Sequence, residues 1–317
     1  MKFYSINYYN KNTKKILRFI NKSPWFKAMI FLLIVLILFK FFLKNKKKEN
    51  FVGNKKKIKI KKNKELYDDF YAELYDEFLH DRVKNDFEFK SIKNKTTINE
   101  NSKLLDIGSG TGQMVHLFNK DGIESEGIDY SPAMVKISKK KFPNYKFSES
   151  DALDPLIYSA NTFTHITCFY FTLYYIENKD QFFENCYNWL EKDGYLIIHV
   201  VDREKFDPIL DKANPITAVS VQKYAKERIT TSTIKFGDFL YKAKFKLNKD
   251  YDKAKFTETM KHDESGNIRK NIHELFMEKK SEIIKMAKSY KFKLKEVIDL
   301  VHIGYEYQYL YILQKTE

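Results

Sequence analysis

The sequence predicts an α/β fold on a mostly parallel sheet, with an apolar helix ahead of it and an antiparallel insertion within it. Three observations carry that prediction. Short apolar runs alternate with helix-period segments between residues 103 and 201. One strand–helix joint is the glycine-rich turn GSGTG at 108–112. Residues 25–43 are apolar and stand between lysine-rich flanks. Alternating strands and helices imply right-handed crossovers and hence parallel pairing.

Residues 1–24 form a basic tail. Residues 25–43, WFKAMIFLLIVLILFKFFL, would reach roughly 28 Å as a helix, close to the ~30 Å hydrocarbon core of a bilayer. Trp25, Lys27 and Lys40 suit the interfaces, and no small-residue cleavage site follows, so a spanning helix is expected rather than a signal peptide. Residues 44–64 are expected to be a lysine-rich linker, either solvated or lying on anionic headgroups. Lysines crowd that flank and favour its facing the cytoplasm, although Lys11, Lys14, Lys15, Arg18 and Lys22 oppose this from the other side. Much of the net charge of +15 therefore precedes the folded part, which weakens the case for nucleic acid as a partner.

The chain has 317 residues, more than the roughly 100–200 usual for one domain, so one domain at 65–317 plus this extension is expected. A composition 43% hydrophobic and 16% aromatic excludes a disordered chain. The two cysteines, Cys168 and Cys186, have no metal-ligand spacing, and neither a metal site nor a disulfide framework is expected.

Within the domain, residues 65–80 (ELYDDFYAELYDEFLH) carry apolar residues at 3–4 spacing and predict an amphipathic helix in a 65–100 lid segment. Residues 103–107 read as a buried strand, and 113–120 as a helix on Met114, Leu117 and Phe118. Residues 123–130 are a second strand ending in Asp129, spaced after Gly112 so that its carboxylate can receive two ribose hydroxyls. Ser131 at an N-cap and Pro132 at the first helical position start the next helix. Further strands are expected at 145–147, 163–170 and 195–201, with a helix at 181–190. An antiparallel substrate-side insertion at 203–290 follows, with strands near 229–239, 241–247 and 255–261 and a helix through 273–290. Residues 296–299 and 305–314 would form a closing hairpin.

The ordered motifs LLDIGSGTG, GIDYSPAM, SESDALD, ITCFYFTLYYIENKDQFFENCYNWL and EKDGYLIIHV resemble those of class I S-adenosylmethionine-dependent methyltransferases, in their small-molecule branch. The resemblance implies a Rossmann-like methyltransferase fold and S-adenosylmethionine as cofactor. It implies that Asp106, Gly108, Ser109, Gly110 and Gly112 surround the methionine part, and that Asp129 accepts the ribose hydroxyls. Tyr130 and Met134 would pack near the adenine, Asp151 and Ala152 would meet its edge, and Cys168 and Phe169 would line the strand end beneath the sulfonium. Tyr67, Tyr71 and Tyr75 would belong to a lid over the cofactor. A nicotinamide enzyme would show Gly-x-Gly-x-x-Gly, whereas here glycines alternate and Gln113 follows.

The sequence departs from the family at Phe163-Thr164-His165, where an acidic residue is common, and at Tyr174-Tyr175, where many relatives carry histidines. No general base is assignable; Tyr170, Tyr174, His199 and Asp202 are the candidates for the pocket. The acceptor is expected to be a small molecule, a lipid-like compound or a protein, met by a single-pass membrane protein with its catalytic domain in the cytoplasm. Neither an Asn-Pro-Pro-Tyr motif nor a Pro-Cys nucleophile is present, which argues against base-flipping DNA chemistry. Two alternatives stay open: a non-catalytic binding protein on this fold, and an RNA methyltransferase.

Overall fold

The computed structural model describes residues 25, 32, 57–79, 81–208, 228–236 and 238–316. The spanning helix expected at 25–43 lies outside the described residues apart from Trp25 and Leu32, both helical. Among the described residues no helix is long and apolar enough to cross a membrane.

The folded unit opens with strand β1 (Ile58–Lys62), followed by a 3-10 turn at Asn63–Leu66. The linker expected through residue 64 is thus corrected at its end: Ile58-Lys59-Ile60-Lys61 alternates with strand period, and its backbone finds a partner at a sheet edge. Helices α1 (Asp69–Leu79) and α2 (Arg82–Lys95) follow. The segment expected as a lid is therefore two helices, broken where Asp81 caps α2 by accepting from Val83 N and Lys84 N.

The central elements are β2 (Lys103–Ile107), α3 (Gln113–Lys120), β3 (Glu124–Asp129), α4 (Pro132–Lys141), β4 (Lys146–Glu149) and β5 (Phe163–Cys168). Then come α5 (Thr172–Tyr175), α6 (Lys179–Trp189) and β6 (Leu190–Val201). Ser131 caps α4 as its sequence requires, its Oγ accepting from Met134 N at 3.1 Å. The insertion holds β7 (Thr231–Phe236), β8 (Phe239–Asn248), β9 (Lys253–His262) and β10 (Ile268–Phe276). Helix α7 (Lys280–Ser289) and strands β11 (Phe292–Asp299) and β12 (Gln308–Lys315) complete the unit. The helix expected from residue 273 is corrected, because 273–276 finish β10. Arg269, Asn271, His273 and Leu275 alternate onto its buried face, and a helix would scatter them.

Two sheets result. The seven-stranded sheet runs β11-β12-β6-β5-β2-β3-β4, parallel except that β12 is antiparallel to both neighbours. The order in which successive strands are laid down reverses between β2 and β5, which run parallel, and the crevice beyond their carboxyl ends is where open α/β sheets bind ligands. The second sheet, β1-β10-β9-β8-β7, is antiparallel except for the β1–β10 pair. Its buried face, with Tyr241, Phe245 and Met260, closes over the crevice; α1 packs there through Tyr71 and Ala72. The main core between sheet and helices includes Leu105, Ile166, Phe182, Trp189 and Ile198.

Candidate active site

The turn at 108–112 is built from backbone that only glycine tolerates. Gly108, Gly110 and Gly112 have φ of 70°, 55° and 84°. A Cβ on Gly108 would lie 2.4 Å from Thr172 Cγ2, and one on Gly112 would lie 2.6 Å from the Phe147 ring. At Gly110 the nearest atom would be Tyr75 Cε1 at 3.7 Å, so this glycine faces space rather than packing. Helix α1 is tied to the turn: Thr111 Oγ1 donates to Asp76 Oδ1 at 2.6 Å, and Lys141 Nζ donates to Asp76 Oδ2 at 2.6 Å.

Asp129 ends β3 beside this turn. Its Oδ2 accepts from Gly110 N at 2.9 Å and its Oδ1 from Ser131 N at 2.8 Å. Burial raises the carboxyl from its ordinary value, and the two N–H donors oppose that. Each oxygen keeps a lone pair, which is what two adjacent ribose hydroxyls need. One layer below, Asp106 Oδ1 accepts from Thr167 Oγ1 at 2.8 Å. Burial raises its carboxyl to about 7, with the Asp129 and Glu88 charges adding to the rise and the Thr167 bond opposing it.

A cavity of about 1540 Å³ joins this region to an aromatic chamber. Of the residues singled out in the sequence, Gly108, Gly110, Asp129, Tyr130, Met134, Asp151, Ala152 and Tyr170 line it, as do Tyr67, Tyr71 and Tyr75 of the lid. Others do not. Cys168 and Phe169 are buried in the core, a correction: the strand-end wall is Tyr170, Phe171 and Thr172 instead, because β5 stops at Cys168 and the chain turns into α5. Gly112 serves the turn by admitting Phe147, and Ser109 is held behind it, its Cβ against Gly127 and its buried Oγ without a partner among the described residues. Asp106 is buried beneath the turn rather than on the wall.

The candidate bases are corrected as well. Tyr174 is fully buried, and its hydroxyl accepts from Val201 N at 2.8 Å. His199 is fully buried, with Nδ1 bonded to Tyr170 O at 2.9 Å, and burial together with the Lys84 charge pulls its pKa well below the usual value. Asp202 is off the cavity wall and pairs with Lys280 at 3.6 Å. Tyr170 does line the cavity, yet its ring lies under the Lys84 ammonium at 3.7 Å and its hydroxyl donates to Asn85 Oδ1 at 3.3 Å.

The chamber wall brings in residues the sequence did not mark. Glu258 on β9 and His273 on β10 are buried and bonded, Oε2 to Nε2, at 2.8 Å. Tyr71 and Tyr241 donate to the same carboxylate at 3.0 and 2.8 Å, and Asn271 at 3.2 Å. Burial pushes the Glu258 carboxyl up, but His273 and these donors outweigh it, leaving the group below its usual value. Tyr175 Oη lies 2.5 Å from His273 Nδ1 and accepts from Tyr67 Oη at 3.0 Å. The available signal was an acid in KFTETMKH at a core parity of the strand.

A parallel sheet with its reversal point at a three-glycine turn, and a carboxylate at the end of the next strand, defines a class I S-adenosylmethionine-dependent methyltransferase domain. The chain belongs to the methyltransferase-domain family, whose model matches residues 98–262, slightly more than half of its length. It is similar to the phosphoethanolamine N-methyltransferase of Plasmodium falciparum, 31% identical over 154 residues, covering 43% of this chain and 55% of that one. The chain thus spans about half the length of the curated relatives it matches. Among solved structures it is similar to the CcbJ methyltransferase of Streptomyces caelestis (14% identity, 79% and 98% coverage, TM-score 0.61). It is also similar to the amino pentose methyltransferase CalS10 of Micromonospora echinaspora, solved with S-adenosylmethionine bound (14%, 74% and 91%, TM-score 0.52). Those two likenesses establish the fold. The residues present fit the cofactor: an open glycine at 110 and a carboxylate with free lone pairs stand on one cavity.

Proposed function

We propose that the protein N-methylates a small-molecule amine from S-adenosylmethionine, held at a membrane by residues 25–43 with its catalytic domain on the cytoplasmic side. The observation that carries the reading is the continuity of one cavity from Gly110 and Asp129 to the chamber of Tyr67, Tyr175 and Glu258. When bound, the cofactor supplies an activated methyl group, so the chain's own task is to align an acceptor and manage a proton. Aromatic faces and a buried carboxylate attract a substrate ammonium. The relative named for phosphoethanolamine N-methylation supports an amine. Apolar wall at Phe206, Phe245, Phe256 and Phe276 suits an acceptor with a hydrocarbon portion.

Membrane attachment rests on the apolar sequence at 25–43 and on the outer face of the five-stranded sheet. There, strand alternation sets Lys242, Lys244, Lys246, Lys255, Lys261 and Lys270 opposite the buried Tyr241, Ala243 and Phe245. Ile58 and Ile60 on edge strand β1 are exposed beside them.

The test is full-length protein in detergent, assayed by calorimetry with S-adenosylmethionine and by labelled-methyl transfer to ethanolamine, phosphoethanolamine, an amino sugar and phosphatidylethanolamine vesicles. Transfer to an amine, lost in Asp129→Ala, is expected. Absence of cofactor binding, or transfer only to RNA or protein, would overturn the reading.

A further inference from the structure

Glu258 and His273 occupy core positions of a sheet that apolar residues would stabilise equally well, since a buried carboxylate rarely recovers its desolvation from a single partner. Their geometry is ordered toward the cavity. A continuous line of hydrogen bonds runs from Tyr67 Oη to Tyr175 Oη, then to His273 Nδ1, and from His273 Nε2 to Glu258. Tyr67, Tyr175, Glu258 and His273 all touch the cavity, and the strand-end turn of Tyr170–Thr172 forms a neighbouring wall. Three separate parts of the chain supply the line: the turn before α1, helix α5, and strands β9 and β10.

We propose that Tyr175, His273 and Glu258 are a proton relay that takes up the proton an amine acceptor sheds when it is methylated, a role that rests on the N-methyltransferase reading. The acceptor ammonium first loses one proton to water on entering the chamber; the free amine's lone pair then forms the bond to the methyl carbon as the carbon–sulfur bond breaks, and sulfur keeps the electron pair. The nitrogen, now positive, gives its proton to Tyr175 Oη while the phenol's own proton passes to His273 Nδ1. The resulting imidazolium is held by the Glu258 carboxylate until the proton leaves to water with product release. Tyr175 touches the acceptor; His273 and Glu258 act through it and position it. The arrangement follows the logic of a nucleophile–base–orienter triad, with the phenol as the relay atom.

The surroundings fit that assignment. Tyr175 sits deep in the wall, and burial, with the nearby Glu258 charge, raises its phenol, so it stays neutral and relays rather than ionises. The groups facing His273 are Tyr67 and Tyr71 from the lid, Tyr175 from α5, and Phe256 and Glu258 from β9. On β10 itself Arg269 is engaged elsewhere, donating to Asp68 at 2.8 and 3.1 Å and to Leu66 O at 2.9 Å. Among the described residues the only basic side chain within salt-bridge distance of Glu258 is therefore His273.

The test uses full-length protein in detergent with 15N-labelled histidine, and turnover with ethanolamine and phosphoethanolamine as probes. At neutral pH the His273 signals, assigned by their loss in His273→Asn, are expected to show a bare Nδ1 and a protonated Nε2. Tyr175→Phe should shift the Nδ1 signal and lower turnover by about 10²-fold or more while leaving S-adenosylmethionine affinity unchanged. His273→Asn should remove the acid limb of the pH–rate profile, and Glu258→Gln should move that limb. Variants that bind the cofactor are folded, which separates lost chemistry from lost structure. A proton on Nδ1, or a Tyr175→Phe enzyme with wild-type turnover and pH profile, overturns the relay. Wild-type protein that fails to bind cofactor removes the function reading instead; where neither probe is methylated, the histidine tautomer decides.

Discussion

Asp106 and Gly108 show how far single positions govern this site. The Asp106 carboxyl, raised to about 7 by burial first of all, holds its proton in the folded state at pH values where the unfolded chain has lost it. Its contribution to stability is therefore greatest in acid and declines as pH rises from the ordinary carboxylate range toward about 7. Asp106→Asn should flatten this slope, giving a variant stabilised relative to wild type at pH 8 and little changed at pH 4, read by urea melts. Equal loss of stability at both pH values would show that the charge is compensated in another way. Gly108→Ala carries two costs, positive φ and a collision with Thr172. It should destabilise by about 1–3 kcal/mol and abolish cofactor binding in calorimetry. Gly110→Ala meets no such neighbour and carries only the positive-φ cost of about 1–2 kcal/mol, so it should lose less stability than Gly108→Ala yet bind cofactor more weakly.

At the scale of elements, helix α2 depends on charges buried within it. Lys84 and Glu88, one turn apart on α2, are fully buried and bonded to each other, with the Lys84 ammonium over the Tyr170 ring. Removing one partner leaves an uncompensated buried charge. Glu88→Ala should cost about 3–5 kcal/mol, whereas Lys84→Met with Glu88→Leu should recover most of it. Thermal melts of Lys84→Met, Glu88→Leu and the double variant test this; strictly additive losses would contradict it. Lys179 plays a similar part at the start of α6, donating to Ile176 O at 2.8 Å and Phe276 O at 2.9 Å and so fastening β10 to the central unit. The relay geometry in turn depends on that fastening, because His273 is three residues before Phe276 on the same strand.

For the folded unit as a whole, the five-stranded sheet distributes its charge by face rather than evenly. The lysine side of the five-stranded sheet predicts electrostatic apposition to an anionic leaflet, worth about 1 kcal/mol per lysine near the surface and weakened by salt. In nanodiscs containing phosphatidylglycerol, Lys242, Lys244, Lys246 and Lys255 should acylate more slowly than Lys139 and Lys140 of α4, relative to the same protein in neutral discs. High salt should erase the difference. Equal labelling of all six lysines in both kinds of disc would count against this orientation.

The glycine turn, the N-cap at Ser131 and the succession of strands and helices through residue 201 were legible in the sequence because each depends on local backbone demands: positive φ, an unsatisfied helix N–H, or a short apolar run. Asp129 was legible for the same reason, its place being set by distance along the chain from Gly112. The chamber was not. His273 lies in a segment whose sequence also suits a helix, and only pairing with β9 makes it a strand. Tyr175 and Glu258 meet it across separations of 98 and 15 residues. The sequence by itself determined the class of fold and the cofactor turn, since those follow from nearest-neighbour sterics and hydrogen bonding. The tertiary structure alone decided which aromatic and acidic side chains share the chamber wall, since burial and long-range pairing choose among residues that are locally indistinguishable.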